Sequence, residues 1–130
     1  MNLPAKGTIV LLPELLALCE EFGLPQLRQR LALDPPLKPF SSDGCSWFPD
    51  SWGISVNLYP ACLKHDMQYY AGYESSGALE SALRMIADCT LVVDALTAGL
   101  PSSIAELMFA GVRVGGAARW RLPFSWGYGR

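Results

Sequence analysis

The chain has 130 residues, 51% of them hydrophobic and 17% charged, with a net charge of −2. That length suits one domain, and that balance supports a packed core and excludes a disordered chain. The small negative charge excludes bulk electrostatics built for nucleic acid, and no apolar run reaches the ~18 residues of a membrane span.

In chain order, residues 1–7 read as a loose start. Thr8–Cys19 is apolar, but Pro13 and Glu14 interrupt it. It lacks a strongly basic start and a small-x-small cleavage site, so it reads poorly as a signal peptide. Leu12, Leu15, Leu16, Cys19 and Phe22 recur at helical spacing and predict a helix over 11–22. Gly23-Leu24-Pro25 ends it, and a short helix over 26–33 follows. Pro35, Pro36 and Pro39 make the next stretch extended.

Residues 41–56 are rich in turn formers: Ser41, Ser42, Asp43, Gly44, Pro49, Asp50, Ser51 and Gly53. The same loop carries Trp47, Phe48 and Trp52. Two readings stand side by side. The aromatics form a lip that dips into a membrane interface, with Trp47 and Phe48 the exposed pair, or they pack over helix ends.

The stretch Tyr59–Gly72 predicts a helix, with Pro60 at a first-turn position that tolerates proline. At about 3.6 residues per turn, Cys62, His65, Asp66 and Tyr69 fall on one stripe. Thiol, imidazole, carboxylate and phenol in one row are not core chemistry. His65 is the single histidine of the chain, so any imidazole base must be this residue.

After the turn Glu74–Gly77, where Ser75 or Ser76 can cap, a long helix is predicted over 77–97. Its expected core stripe is Leu79, Leu83, Ile86, Thr90, Val93 and Leu96, with Asp88 one position outside. Two long helices joined by a short turn pack antiparallel. Gly99–Ser103 breaks the chain and caps a last helix over 104–114, which Gly115-Gly116 stops. Residues 117–130 read as an irregular tail. No strand is predicted beyond, at most, a short extended pair.

The tail has its own charge character. After Glu106 there is no acidic residue, and Arg113, Arg119, Arg121 and Arg130 follow, so the last twenty residues carry +4. Trp120, Phe124, Trp126 and Tyr128 interleave with them. Such a mixture suits a phospholipid headgroup region; the plainer reading is a segment that wraps the core with its arginines in water. The four cysteines allow three pairings, and Cys19 and Cys89 each lie in an apolar helical pattern that suggests a buried thiol.

The stretch Cys62-Leu63-Lys64-His65-Asp66-Met67-Gln68-Tyr69 resembles the C-x-x-H-D-x-x-Y helix of the phospholipase A2 superfamily, with every fixed position filled. Upstream, Asp43-Gly44-Cys45-Ser46-Trp47-Phe48-Pro49-Asp50 is similar to the D-G-C-S-x-x-P-D calcium loop of the bacterial and fungal branch, including phage-encoded members. The resemblance covers roughly residues 40–95. The glycine-rich loop, tandem cysteines and many disulfides of the animal secreted members are missing.

The resemblance implies a mainly helical, all-α, phospholipase A2-like domain over residues 1–130. Two long antiparallel helices would carry the site within 40–97, flanked by helices over 11–33 and by a helix and basic aromatic tail over 102–130. It implies a bridge between Cys45 and Cys62, worth about 3 kcal/mol for a loop of that size. It implies His65 as general base, Asp88 as its carboxylate partner and Tyr69 as a donor to Asp88. Asp88 follows His65 by 23 residues, close to the family spacing; Asp94 fits it worse, and the plain alternative is a solvated Asp88. Ca²⁺ would be held by Asp43, Asp66 and a carbonyl near Gly44, with N–H groups of Gly44 or Cys45 as oxyanion donors.

The implied activity is calcium-dependent hydrolysis of the sn-2 ester of glycerophospholipids at a membrane surface, by a secreted or released protein; the alternative location is the cytoplasm. Two other readings compete. One is a non-catalytic phospholipid-binding module on the same scaffold, although silent relatives usually lack the histidine or the calcium-binding aspartate. The other is a zinc site from Cys45, Cys62 and His65. Oligomeric state is left open.

Overall fold

The computed structural model describes residues 2–46, 48–72, 77–117, 124 and 126–130. Five helices and one strand pair make up these residues: α1 (Leu12–Glu21), α2 (Pro25–Leu33), α3 (Tyr59–Ala71), α4 (Gly77–Ala98) and α5 (Ser102–Gly115), with β1 (Ser51–Trp52) and β2 (Val56–Asn57) between α2 and α3. The chain is mainly helical, and each helix lies within two residues of its predicted bounds. The strands pair antiparallel, Ser51 opposite Asn57 and Trp52 opposite Val56.

α3 is buried on nearly every side. Leu63, Met67, Tyr70 and Ala71 face a core shared with Leu15, Leu18 and Cys19 of α1 and Leu27 and Leu31 of α2. Ala61 and Cys62 face a second core with Leu91 and Ala95 of α4 and Ala105 and Met108 of α5. A helix enclosed on all sides must be short of charge on its surface. In α3 the buried polar positions are His65 and Asp66, and both have partners.

α4 runs antiparallel to α3, as its pairings require: Tyr69 meets Arg84, and His65 meets Asp88. Its phase, however, differs from the predicted one. Ala87, Asp88, Leu91 and Ala95 are buried, whereas Leu79, Ile86, Val93 and Leu96 are exposed. The small side chains on the Ala87/Ala95 face let α4 approach α3 closely. The carboxylate of Asp88 finds donors there that solvent-facing positions lack. That combination outweighs the larger apolar stripe.

The two ends of the chain are not loose. The Gly7 N–H donates to the Ser42 carbonyl, Lys6 pairs with Asp50, and the Tyr59 hydroxyl donates to the Pro4 carbonyl. At the other end, Gly127 N–H donates to the Tyr69 carbonyl and Trp126 sits edge-on to the Tyr69 ring. Arg130 reaches the Ala71 carbonyl and Asp34. The final residues thus pack on α3 instead of trailing into solvent, and Arg113 and Arg130 are engaged within the protein. Arg119, Trp120 and Arg121 lie outside the described residues, as do Ser75 and Ser76.

Candidate functional site

The stripe on α3 is brought together with Asp88 of α4, as the resemblance implies. His65 Nε2 lies 2.8 Å from Asp88 Oδ1, and the Tyr69 hydroxyl donates to the same oxygen at 2.6 Å. Asp88 is fully buried. Its second oxygen accepts from the Arg113 guanidinium at 2.6 Å. Burial would raise the Asp88 carboxyl, but donation from His65, Tyr69 and Arg113 holds it below the ordinary carboxylate range. Asp88 is therefore ionised, so the proton of a neutral His65 belongs on Nε2 and Nδ1 carries the lone pair. Asp94, the rival aspartate, instead forms a half-buried pair with Lys64.

Behind this pair stands Arg84. Its Nε donates to the Tyr69 hydroxyl at 3.1 Å, and its terminal nitrogen donates to the carbonyls of Val112 and Arg113. Burial, followed by the charge of Asp88, raises the Tyr69 phenol far above its usual range, so it stays a hydroxyl. Tyr70 points away and donates to the Lys38 carbonyl.

The loop before α3 supplies the other half of the site. The Cys45–Cys62 disulfide is formed, with Cα atoms 4.9 Å apart. This bridge removes both thiolates that a zinc site would use. Asp66 is buried, and its Oδ2 accepts from the Ser42 hydroxyl at 2.6 Å; Ser42 Oγ in turn accepts from the Gly44 N–H. Gly44 is required where it stands. Its φ is +74°, and a Cβ would overlap the Asp50 carboxylate. Asp50 Oδ1 accepts the Cys45 N–H at 2.8 Å. Both amides named as oxyanion donors are thus engaged inside the loop, because the loop uses them to hold its own turn.

Asp43 is exposed and accepts from the Ser46 hydroxyl through both oxygens. Burial, then the charges of Asp43 and Asp50, push the Asp66 carboxyl well up, against the pull of Ser42. Asp43, Asp50 and Asp66 thus crowd acidic groups at this place, with Lys6 paired to Asp50. Among the described residues no three of His, Cys, Asp and Glu converge as a ready metal cluster. The donors present are the carboxylates of Asp43 and Asp66 and the Ser42 hydroxyl, oxygen donors of the kind a hard cation takes.

His65, Asp66, Tyr69, Gly44 and Cys45 open on one cleft of about 340 Å³, whereas Asp43 and Asp88 are not among its lining residues. His65, Asp66 and Gly44 form its polar end; Leu91, Leu107, Met108 and Val112 form its apolar wall. Phe48 lines the cleft half-buried and stacks on Trp52, ring centroids 6.3 Å apart. Trp47 lies outside the described residues. Of the remaining cysteines, Cys19 is buried and its thiol is pushed up to about 11, whereas Cys89 is exposed, because the rotated phase of α4 turns it outward.

Sequence reasoning missed Ser42, Arg84 and Arg113. Ser42 left a local signal, since it directly precedes the acidic loop residue. The arginines left none, because their partners are 15 to 29 residues distant. Comparison of the chain with protein-family models, with curated proteins and with solved structures finds no match in any of the three.

Proposed function

We propose that the chain is a calcium-dependent phospholipase A2, hydrolysing the sn-2 ester of glycerophospholipids on a phospholipase A2-like arrangement of α3 and α4. The observation that carries this reading is the buried His65–Asp88 pair opening on a cleft with an acidic loop at one end and an apolar wall along its side.

His65 acts as general base. Its Nε2–H is donated to Asp88, which leaves Nδ1 to take a proton from a water in the cleft. Asp88 stabilises the imidazolium that forms, as a buried carboxylate does without itself taking the proton. Tyr69 and Arg113 keep Asp88 fixed and ionised through their hydrogen bonds. The carboxylates of Asp43 and Asp66 and a carbonyl at Gly44 would hold Ca²⁺. When bound, that ion supplies Lewis-acid polarisation of the ester carbonyl and neutralisation of the phosphate. The apolar wall suits a fatty acyl chain. A substrate of this class makes the protein peripheral to a phospholipid membrane and suits a secreted or released protein.

The test is fatty-acid release from phospholipid vesicles. Release is expected with calcium, lost with chelator, and lowered about 10²–10⁴-fold in His65→Ala, the range general-base catalysis contributes. Vesicle binding by the wild-type chain without product, with or without calcium, would replace the enzyme reading with that of a lipid-binding module.

A further inference from the structure

α4 spends its small and polar face on α3, and among the described residues nothing covers its largest apolar row. Leu79, Ala82, Ile86, Cys89, Val93 and Leu96 are all exposed. Ile86 and Val93, at the middle of the row, are 57% and 60% exposed. The steps along this row are three, four, three, four and three residues. That is the a/d repeat of a coiled-coil seam, sustained over the length of the helix. α4 has 22 residues, about 33 Å at 1.5 Å per residue. Among the described residues it is the one helix long enough to carry six such positions.

Three of the four charges of α4 are directed elsewhere, and the fourth, Glu80, stands beside Leu79 at the end of the row, outside the three-four repeat. Arg84 turns to Tyr69 and the carbonyls of α5, Asp88 is buried, and Asp94 pairs with Lys64. The positions flanking the row are Leu83, Met85, Thr90, Val92 and Thr97, none of them charged. A helix that lies on a lipid surface presents Lys and Arg on its polar face and aromatics at its edge. α4 has no lysine and no aromatic residue, and its one arginine is turned inward. The row therefore suits a second helix with the same repeat and an uncharged flank. The matching surface is the row itself.

We infer that α4 pairs antiparallel with α4 of a second copy of this chain, about a two-fold axis between Ala87 and Asp88. That register sets Leu79 against Leu96 of the copy, Ala82 against Val93, and Ile86 against Cys89. Each small side chain meets a larger one, as even packing requires. A parallel pairing would set Ala82 on Ala82 and leave a void. The antiparallel arrangement also brings opposite ends of the helix dipoles together, and no like charges face each other along the seam. The surface is isologous, so the pairing closes at two copies. It is independent of the proposed activity.

Sedimentation of the full chain at tens of micromolar is expected to give twice the 14.2 kDa chain mass. The double variant Ile86→Glu/Val93→Glu is expected to give the single mass with unchanged helical circular dichroism, since both side chains are exposed in the monomer. Register is read by mixing Leu79→Cys and Leu96→Cys chains, each also carrying Cys89→Ser. Oxidation is expected to join unlike chains; joining only of like chains would overturn the antiparallel pairing. A wild-type monomer at these concentrations, or a dimer untouched by the double variant, would overturn the seam. So would a monomer that binds phosphatidylcholine–phosphatidylglycerol vesicles through Ile86 and Val93, which assigns the face to lipid.

Discussion

Asp88 accepts hydrogen bonds from α3, through His65 and Tyr69, and from α5, through Arg113, while its carboxylate is closed off from solvent. A buried carboxylate without donors costs several kcal/mol; here charge-assisted bonds offset that cost. Asp66 is the opposite case. Burial and its acidic neighbours raise its carboxyl above the ordinary value. In cation-free protein the folded state therefore favours the protonated form. Its contribution to stability is present below the unfolded pKa and declines as pH rises towards the folded one. Asp66→Asn removes that decline. In chelator at neutral pH the variant is expected to melt above the wild type and to lose the wild type's slope with pH above the ordinary carboxylate range. Calcium, expected to raise the melting temperature of the wild type, should no longer do so. A lower melting temperature in chelator would show that the Ser42 bond outweighs the cost of burial.

At the scale of the element, α5 is shaped by what its glycines leave open or closed. Gly111 lies inside the helix, lines the cleft, and has nothing within 4 Å of a built Cβ. Glycine there costs about 1 kcal/mol against alanine, so Gly111→Ala is expected to stabilise by about 0.5–1 kcal/mol. Gly116 closes the same helix, but a Cβ there would lie 2.7 Å from the Tyr69 hydroxyl and 2.6 Å from the Val112 carbonyl. Gly116→Ala is expected to destabilise by about 1–3 kcal/mol, the usual cost of overpacking, and to disturb the Tyr69–Asp88 bond. Urea titration of the two variants gives opposite shifts in midpoint if the packing is as described. α4 makes the complementary point. Its length and period were legible from the sequence, and its buried face was not, because hydrophobicity alone favours the row that the fold leaves outside.

Over the whole molecule, the site is held by tying the acidic loop to α3 from several directions. The Cys45–Cys62 bridge closes 17 residues of chain, and chain entropy gives it about 3 kcal/mol. The loop is also pinned by Ser42 to Asp66, by Asp50 to Cys45 and Lys6, and by Gly7 to Ser42. Replacing both cysteines by serine is expected to lower unfolding free energy by about 2–4 kcal/mol in denaturant titration. An unchanged midpoint would assign the restraint to the polar contacts. The last five residues complete the enclosure, since Tyr128 donates to the Asp66 carbonyl beside the acidic end of the cleft.

The sequence by itself determined the helices, the row of His65, Asp66 and Tyr69 on one of them, and the candidacy of Asp88 at 23 residues' distance. The helices and the row follow from local periodicity, which a single chain displays without folding, and the candidacy of Asp88 follows from the resemblance of the motif to the phospholipase A2 helix. Only the tertiary structure decided that Asp88 is fully buried, that Arg84 and Arg113 brace it, that Phe48 turns into the cleft, and that the apolar row of α4 faces outward. Each of those depends on which partner a side chain meets across tens of residues. That choice is made by the close approach of small residues and by the donors available to a buried charge, and neither is written in the order of residues along one helix.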